Sequence, residues 1–374
     1  MKLLRLTGRR LLDVSGKRLC LVALIFFPVL FCAYSSVSAD DISAAAAIVI
    51  DAKADRILYA KNPNLKVPPA STTKLVTAMV VLDKLDPDKE IIVGEGAAHT
   101  PSVPPRLRPG ERLTVRALLN LALMRSINGA AVALAEAAAG SEKDFTNLMN
   151  AKAASIGAES THFVNASGLP APGQYITAHD LAKVMKASIQ YPLIKEIVNT
   201  RVKNVYTMGG RQMFLKNTNL LLWDEDDMIG GKTGYTRAAR HCFVCASDKG
   251  DTTMISVVLG EAVRDNLWED SKTLLAKGSD VLENKAEPMI SLTTDETGPV
   301  VFASYKKSSG KKRLKANGHK AVKKAKLKER KIEAKAVKAS RHSHRSGKSA
   351  RKASKGLSAG NQSSTDRVVS RRAS

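Results

Sequence analysis

Pro68-Pro69-Ala70-Ser71-Thr72-Thr73-Lys74 runs straight into Leu75-Val76-Thr77-Ala78-Met79-Val80-Val81-Leu82. The prolines mark the start of a helix, where a missing N–H is tolerated. The run after Lys74 is apolar on nearly every side, so its pattern predicts a fully buried helix. Ser71 then stands at the helix N-terminus with Lys74 one turn on, and positions i and i+3 share a face. This is the layout of a nucleophile and its base. Free N–H groups and the positive helix end stabilise an oxyanion near Ser71. Burial lowers a lysine pKa, which lets Lys74 accept the serine proton. The pattern Ser-x-x-Lys is weak by itself, since it recurs at Ser304/Lys307, Ser308/Lys311 and Ser349/Lys352. Only the buried-helix context sets Ser71 apart.

Two further segments carry candidate chemistry. Leu118 to Met124 reads as a helix, followed by a break with Ser126 and Asn128 and a second, Ala-rich helix from Gly129. Polar side chains in a short loop between buried helices need partners; a simple cap by Ser126 is the plainer reading of that loop alone. Met228-Ile229-Gly230-Gly231-Lys232-Thr233-Gly234-Tyr235-Thr236 reads as a Gly-rich turn opening a strand, with Lys232 near its start. Gly234 would let a ligand approach the strand backbone closely. Gly-Lys-Thr is no phosphate loop here, because position 226 is Asp and no helix follows.

The chain has 374 residues and a net charge of +24. A length of this order suits roughly two domains. The charge is segregated: residues 1–39 carry +5, residues 40–304 carry −2, and residues 305–374 carry +21. The body is therefore near neutral, and the basic balance says little about its substrate. Residues 1–39 join Lys2, Arg5, Arg9, Arg10, Lys17 and Arg18 to an apolar run, Leu19 to Tyr34, and a small-x-small exit at Val37-Ser38-Ala39. Those are the parts of a secretory signal peptide, so export to the periplasm or cell envelope is expected. From Tyr305 the apolar pattern ends and Lys, Ala, Ser and Arg dominate, so a disordered tail is expected. Two readings of that tail stand side by side: a partner in an anionic membrane or envelope polymer, or a solvated spacer with no specific partner. Nucleic acid is disfavoured, since no Phe or Trp interleaves for stacking. Behind the signal only Cys242 and Cys245 remain. On a strand, i and i+3 point to opposite faces, so a plain core role is preferred to a redox or metal site. The expected division is a signal peptide at 1–39, a catalytic domain at 40–285, a short linker at 286–304 and the tail at 305–374.

Ser71-x-x-Lys74, Ser126-x-Asn128 and Lys232-Thr233-Gly234, in this order, resemble the penicillin-binding and serine β-lactamase superfamily. The detail is similar to the D-alanyl-D-alanine carboxypeptidases of peptidase family S11, the low-molecular-mass penicillin-binding proteins. It lies in Pro69–Leu75, Phe145–Asn150, Thr161–Leu169, Gly173–Asp180, Asn217–Asn219, Leu221–Asp224 and Gly230–Thr236, and covers roughly residues 43–285. The resemblance implies an α+β (α/β/α) fold of the β-lactamase/transpeptidase type. An antiparallel sheet would pack with helices beside an all-helical region. It implies removal of the terminal D-alanine from peptidoglycan stem peptides, with β-lactams as covalent inhibitors and neither metal nor cofactor. Ser71 would be the acyl-ester nucleophile and Lys74 its proton acceptor. Ser126 would relay protons between the two lysines and toward the leaving amine. Asn128 would bind the substrate amide, Lys232 would keep Lys74 neutral, and Thr233 would contact the terminal carboxylate. The N–H groups of Ser71 and Tyr235 would form the oxyanion hole.

The chain departs from the family pattern at three places. Ile127 is bulky where a small residue is usual, which implies a narrower pocket. Arg240 replaces the Gly usual after Ala239. Thr218 stands where some relatives carry a carboxylate-binding Arg, leaving Arg237 or Arg240 as substitutes. The same residues would serve a DD-endopeptidase. A β-lactamase of class A would need a Glu-x-x-x-Asn string between Ser126 and Lys232, which is missing. A non-catalytic envelope binder has no need of Ser71 with two lysines.

Overall fold

The computed structural model of the chain describes residues 42–292. The signal segment at 1–39, the tail at 305–374 and residues 293–304 of the expected linker lie outside the described residues. Strands β1 (Ala46–Asp51) and β2 (Arg56–Lys61) form a hairpin. A 3₁₀ turn, Ala70–Thr73, then leads directly into α1 (Lys74–Lys84). There follow β3 (Glu90–Ile92), α2 (Glu95–His99), β4 (Arg112–Thr114), α3 (Val115–Met124), α4 (Asn128–Ala139) and α5 (Glu142–Ser155). After α6 (Ala178–Ser188) and α7 (Pro192–Asn199) come the hairpin β5 (Val202–Tyr206) and β6 (Gln212–Lys216) and the short α8 (Leu221–Asp224). The chain then returns to the main sheet through β7 (Met228–Thr236), β8 (Arg240–Asp248) and β9 (Thr253–Glu261). Helix α9 (Arg264–Leu282) and β10 (Met289–Ser291) complete it.

The main sheet has the order β10-β2-β1-β9-β8-β7, and only the β10–β2 pair is parallel. Thus Met289–Ser291, inside the stretch read as linker, adds an edge strand to β2. Both faces of the sheet are buried, and the strand period of two sorts the side chains between them. In β8, Cys242, Val244 and Ala246 join the core on the helical side, while Phe243 and Cys245 join the core under α9. β1 sorts likewise, with Ile48 and Ile50 on one side and Ala47 and Val49 on the other. Gly278 brings α9 close to the sheet: a Cβ there would collide with Met254 and stand 2.8 Å from Val49 Cγ1. Edge packing of Phe243 on Trp268, with ring centroids 5.3 Å apart, fixes the first half of that helix.

Helix α1 packs against α4, α5 and α6, and everything from Lys74 to Val81 is buried. Each fully buried Leu, Val or Met side chain there contributes about 1.5–3 kcal/mol. That continuous burial makes the all-round apolar pattern a central helix, as the sequence predicts. The observed architecture is the expected α/β/α sandwich with an adjoining helical region.

Among the described residues Cys242 and Cys245 are free, buried thiols on opposite sheet faces, and burial pushes each thiol pKa up to about 12. A thiol, unlike a thiolate, is a poor nucleophile. Neither cysteine should therefore react with iodoacetamide at pH 8 in the folded protein, whereas both should be alkylated in denaturant. Mass spectrometry of the native protein showing rapid single labelling would contradict this burial.

Candidate active site

Four chain segments meet at Ser71. The 3₁₀ turn presents the serine, and Lys74 follows as the first residue of α1. The α3–α4 break supplies Ser126 and Asn128. Strand β7 supplies Lys232, Thr233 and Gly234 from its middle. The sequence placed Lys232 near the strand start; in the structure Gly230 and Gly231 are themselves strand residues, with a bulge between Met228 and Gly230. The fourth segment, the loop around Ser167, was not assigned to the site by the sequence reading.

Lys74 is wholly buried. Its Nζ lies 2.9 Å from Ser71 Oγ, 2.7 Å from Asn128 Oδ1 and 2.5 Å from the Ser167 carbonyl. Burial holds the Lys74 pKa well below the usual lysine value, and the nearby Lys232 charge lowers it further. A neutral amine has two N–H donors and one lone pair. Asn128 Oδ1 and the Ser167 carbonyl accept only, so they take the two donors. The lone pair is then left for the Ser71 hydroxyl, which becomes the donor. The hydrogen-bond inventory therefore favours the base form of Lys74.

Lys232 is buried, and its pKa is lowered by burial to about 7. Its Nζ donates to Ser126 Oγ at 3.1 Å and to the Thr233 carbonyl at 2.8 Å. The direct bonds thus couple Ser126 to Lys232 and Asn128 to Lys74. Asn128 Nδ2 donates to the Pro101 carbonyl at 2.7 Å, and its backbone N–H to Ser102 Oγ at 2.9 Å. Both ends of this carboxamide have protein partners. Thr233 Oγ1 donates to Thr218 Oγ1 at 2.7 Å.

Backbone geometry is strained at two of these positions. Ala70, next to Ser71, has φ 48°, and Ser126 has φ 64°. Non-glycine residues in this region cost about 1–3 kcal/mol each and cluster at functional sites. The turn at Ala70 is held by the facing loop, where Gly168 has φ 79° and a Cβ would run into the Ala70 carbonyl. From the other side Gly234 leaves room: a Cβ there would stand 2.9 Å from the Ser71 backbone nitrogen.

A cleft of about 380 Å³ opens over Ser71, with Ser126, Asn128, Thr218, Thr233, Gly234 and Tyr235 among its walls. Its two guanidinium groups belong to Arg125 and Arg264. Sequence reasoning missed both and offered Arg237 or Arg240. Arg264 opens α9 more than 20 residues beyond the Lys-Thr-Gly strand, so nothing local announces it. Arg240 instead opens β8 just after the β7–β8 turn with φ 59°, the left-handed conformation that explains why a Gly is usual there. Ile127 does not narrow the cleft: its side chain is wholly buried in the core below it. His241 stacks on Tyr235 at 4.4 Å and joins the same wall, where burial and Arg264 hold its pKa below the usual value.

The sequence profile described as D-alanyl-D-alanine carboxypeptidase matches residues 33–263. The carboxypeptidase DacC of Escherichia coli is 35% identical over 68% of this chain and 66% of its own length. For the carboxypeptidase DacF of Bacillus subtilis the values are 34%, 58% and 57%, so the chain spans less than two thirds of either relative. A D-alanyl-D-alanine endopeptidase of Pseudomonas aeruginosa is 38% identical, over 59% of this chain and 72% of its own. Among solved structures, a D-alanyl-D-alanine carboxypeptidase from Mycobacterium tuberculosis superposes with TM-score 0.62 at 32% identity, covering 68% of this chain and 97% of that one. A Streptomyces DD-transpeptidase gives 0.61 at 28%, covering 65% and 99%.

Two outcomes follow from this geometry. In ¹⁵N-lysine NMR the Lys232 amine should titrate near pH 7, while solvent-exposed lysines titrate above about 10. A Lys232 midpoint among the surface lysines would refute its burial. Gly168→Ala, which adds a Cβ against a backbone carbonyl at positive φ, should cost about 1–3 kcal/mol of stability, read as a lower Tm. An unchanged Tm would mean that the loop does not brace Ala70.

Proposed function

The chain belongs to the D-alanyl-D-alanine carboxypeptidase family, and from that membership we propose that it is a serine-type D-Ala-D-Ala carboxypeptidase. It removes the terminal D-alanine from peptidoglycan stem peptides and is acylated by penicillin. The observation that carries the reading is the wholly buried Lys74, whose lone pair is left for the Ser71 hydroxyl. Ser71 Oγ attacks the carbonyl of the penultimate D-alanine while Lys74 takes its proton. The N–H groups of Ser71 and Tyr235 receive the oxyanion. Ser126, bonded to Lys232, passes a proton to the leaving amine, and free D-alanine departs. Water then attacks the acyl ester and regenerates Ser71. Lys232, Thr233 and Arg264 supply positive charge and a hydroxyl for the terminal carboxylate, and Asn128 with Gly234 borders the peptide.

A β-lactamase reading is disfavoured, because the residues lining the cleft include no carboxylate to activate a deacylating water. Cleavage of cross-links by the same residues is the second reading, supported by the endopeptidase relative. Residues 1–39 act as an export signal, which places the enzyme in the periplasm or envelope. The +21 tail holds it to anionic membrane or envelope polymer.

Ser71→Ala should abolish both fluorescent-penicillin labelling and D-alanine release from a soluble stem-peptide mimic, with Tm unchanged. Labelling that persists elsewhere would overturn the nucleophile assignment. The pH profile follows from the two lysines. Acylation needs neutral Lys74, so its rate should rise with pH through a midpoint far below 10.5. Carboxylate binding needs charged Lys232, so kcat/KM for the peptide should decline above about 7. A rate still climbing at pH 10 would show Lys74 to be an ordinary lysine.

A further inference from the structure

The β5–β6 hairpin packs one face onto α3 and leaves the other bare. Val205, Met213 and Leu215 point inward and are buried. The alternate positions, Val202, Asn204, Tyr206, Gln212, Phe214 and Lys216, are all exposed. Polar residues are the ordinary outward choice on such a strand. Here Phe214 is 62% exposed and Tyr206 55%. Their register, Asn204 opposite Phe214 and Tyr206 opposite Gln212, makes the two aromatic rings diagonal neighbours on one face. Beyond them Lys216 Nζ stands 5.2 Å from the ring centre of Trp223, itself 39% exposed. Contiguous exposed apolar surface rimmed by polar groups marks an interaction site.

The hairpin runs directly into the wall of the catalytic cleft. β6 ends at Lys216, two residues before Thr218, which lines the cleft. Thr218 is pinned there: its N–H donates to the Met124 carbonyl at 3.1 Å and its hydroxyl receives Thr233. At the other end Arg211 holds the hairpin to Glu111 at 2.6 Å and Met208 N–H donates to the Arg112 carbonyl at 2.9 Å. The hairpin is therefore held at both ends, at the cleft wall through Thr218 and at β4 through Arg112.

We propose that the exposed face of the β5–β6 hairpin, centred on Tyr206 and Phe214 with Asn204 and Gln212, binds the amino-sugar strand of peptidoglycan while the cleft works on its peptide. This deepens the carboxypeptidase reading and rests on it. A pyranose offers an apolar C–H face that stacks on an aromatic ring, and its hydroxyl and acetamido groups match carboxamide side chains. The mixture fits a sugar better than a bilayer, since inserting Asn204 and Gln212 into lipid would leave their amides without partners. A second contact on a polymer raises its effective concentration at the cleft without touching a short peptide.

The test compares the full chain with its Tyr206→Ser/Phe214→Ser variant. Both are sedimented with glycan strands stripped of stem peptides, in about 0.5 M salt to screen the basic tail. Loss of the two aromatic contacts predicts about tenfold weaker sedimentation, about 1.4 kcal/mol. D-alanine release from intact sacculi should fall with it, while penicillin acylation and release from a soluble pentapeptide stay within twofold. Equal sedimentation of the two proteins overturns the proposal. So does a wild type that is dimeric by light scattering where the variant is monomeric, or a variant that loses only binding to anionic vesicles. Should the aromatic variant misfold, Asn204→Ser with Gln212→Ser carries the same comparison. If neither protein is acylated yet the sedimentation differs, the carboxypeptidase reading fails and the sugar-binding face stands.

Discussion

A lysine amine with no access to water is the constraint around which this molecule is arranged. Burying Lys74 as an ammonium ion would be costly unless it were paired with a carboxylate. Instead the site offers an amide oxygen, a backbone carbonyl and a serine hydroxyl. Those partners suit the neutral amine, and Lys232 adds repulsion against protonation. The environment of Ser71 therefore depends on packing behind the cleft as well as on the cleft walls. Helices α4, α5 and α6 keep α1 dry, and the Ser167 loop supplies the third acceptor.

Keeping that geometry requires backbone in sparsely populated conformations. Ala70 and Ser126, one beside the nucleophile and the other facing Lys232, both lie at positive φ. Each is held by tight neighbours: Gly168 under the carbonyl of Ala70, and the start of α4 just after Ser126. Glycine at 168 and 234 is demanded by close approach to the turn that carries Ser71, and at 168 also by a positive φ. The local energy lost at these turns is offset by the dense core beneath them, where Ile127 is one of the packing residues. A side chain that looked like a constriction is thus part of the support.

The two sheet faces divide the labour. The helical side positions both lysines and Ser126. The other side is closed by α9, which also carries Arg264 into the cleft at its first residue. Close packing of Gly278 and the Phe243–Trp268 contact set the position of that helix. The cationic wall of the cleft therefore depends on packing many residues away. The β5–β6 hairpin belongs to the helical side, packed on α3 and anchored through Thr218 and Arg211.

Much of this was legible in the sequence. The all-round apolar run after Lys74 specified a buried helix, and the i, i+3 spacing put Ser71 and Lys74 on one face. Period-two alternation placed Cys242 and Cys245 on opposite sheet faces. The order of three short motifs pointed to the family and to Ser126, Asn128, Lys232 and Thr233. These features are local, because helix and strand periodicities act over a few residues. What the chain brings together from afar was decided only in three dimensions. Pairing of Lys74 with the Ser167 carbonyl, of Ser126 with Lys232, and the arrival of Arg264 all depend on how α1, β7 and α9 pack. The same holds for Met289–Ser291, which reads as linker and becomes a strand because β2 presents a free edge. Sequence determined which groups are the candidates for the chemistry; tertiary packing decided their partners, since burial and hydrogen-bond satisfaction are properties of the assembled core.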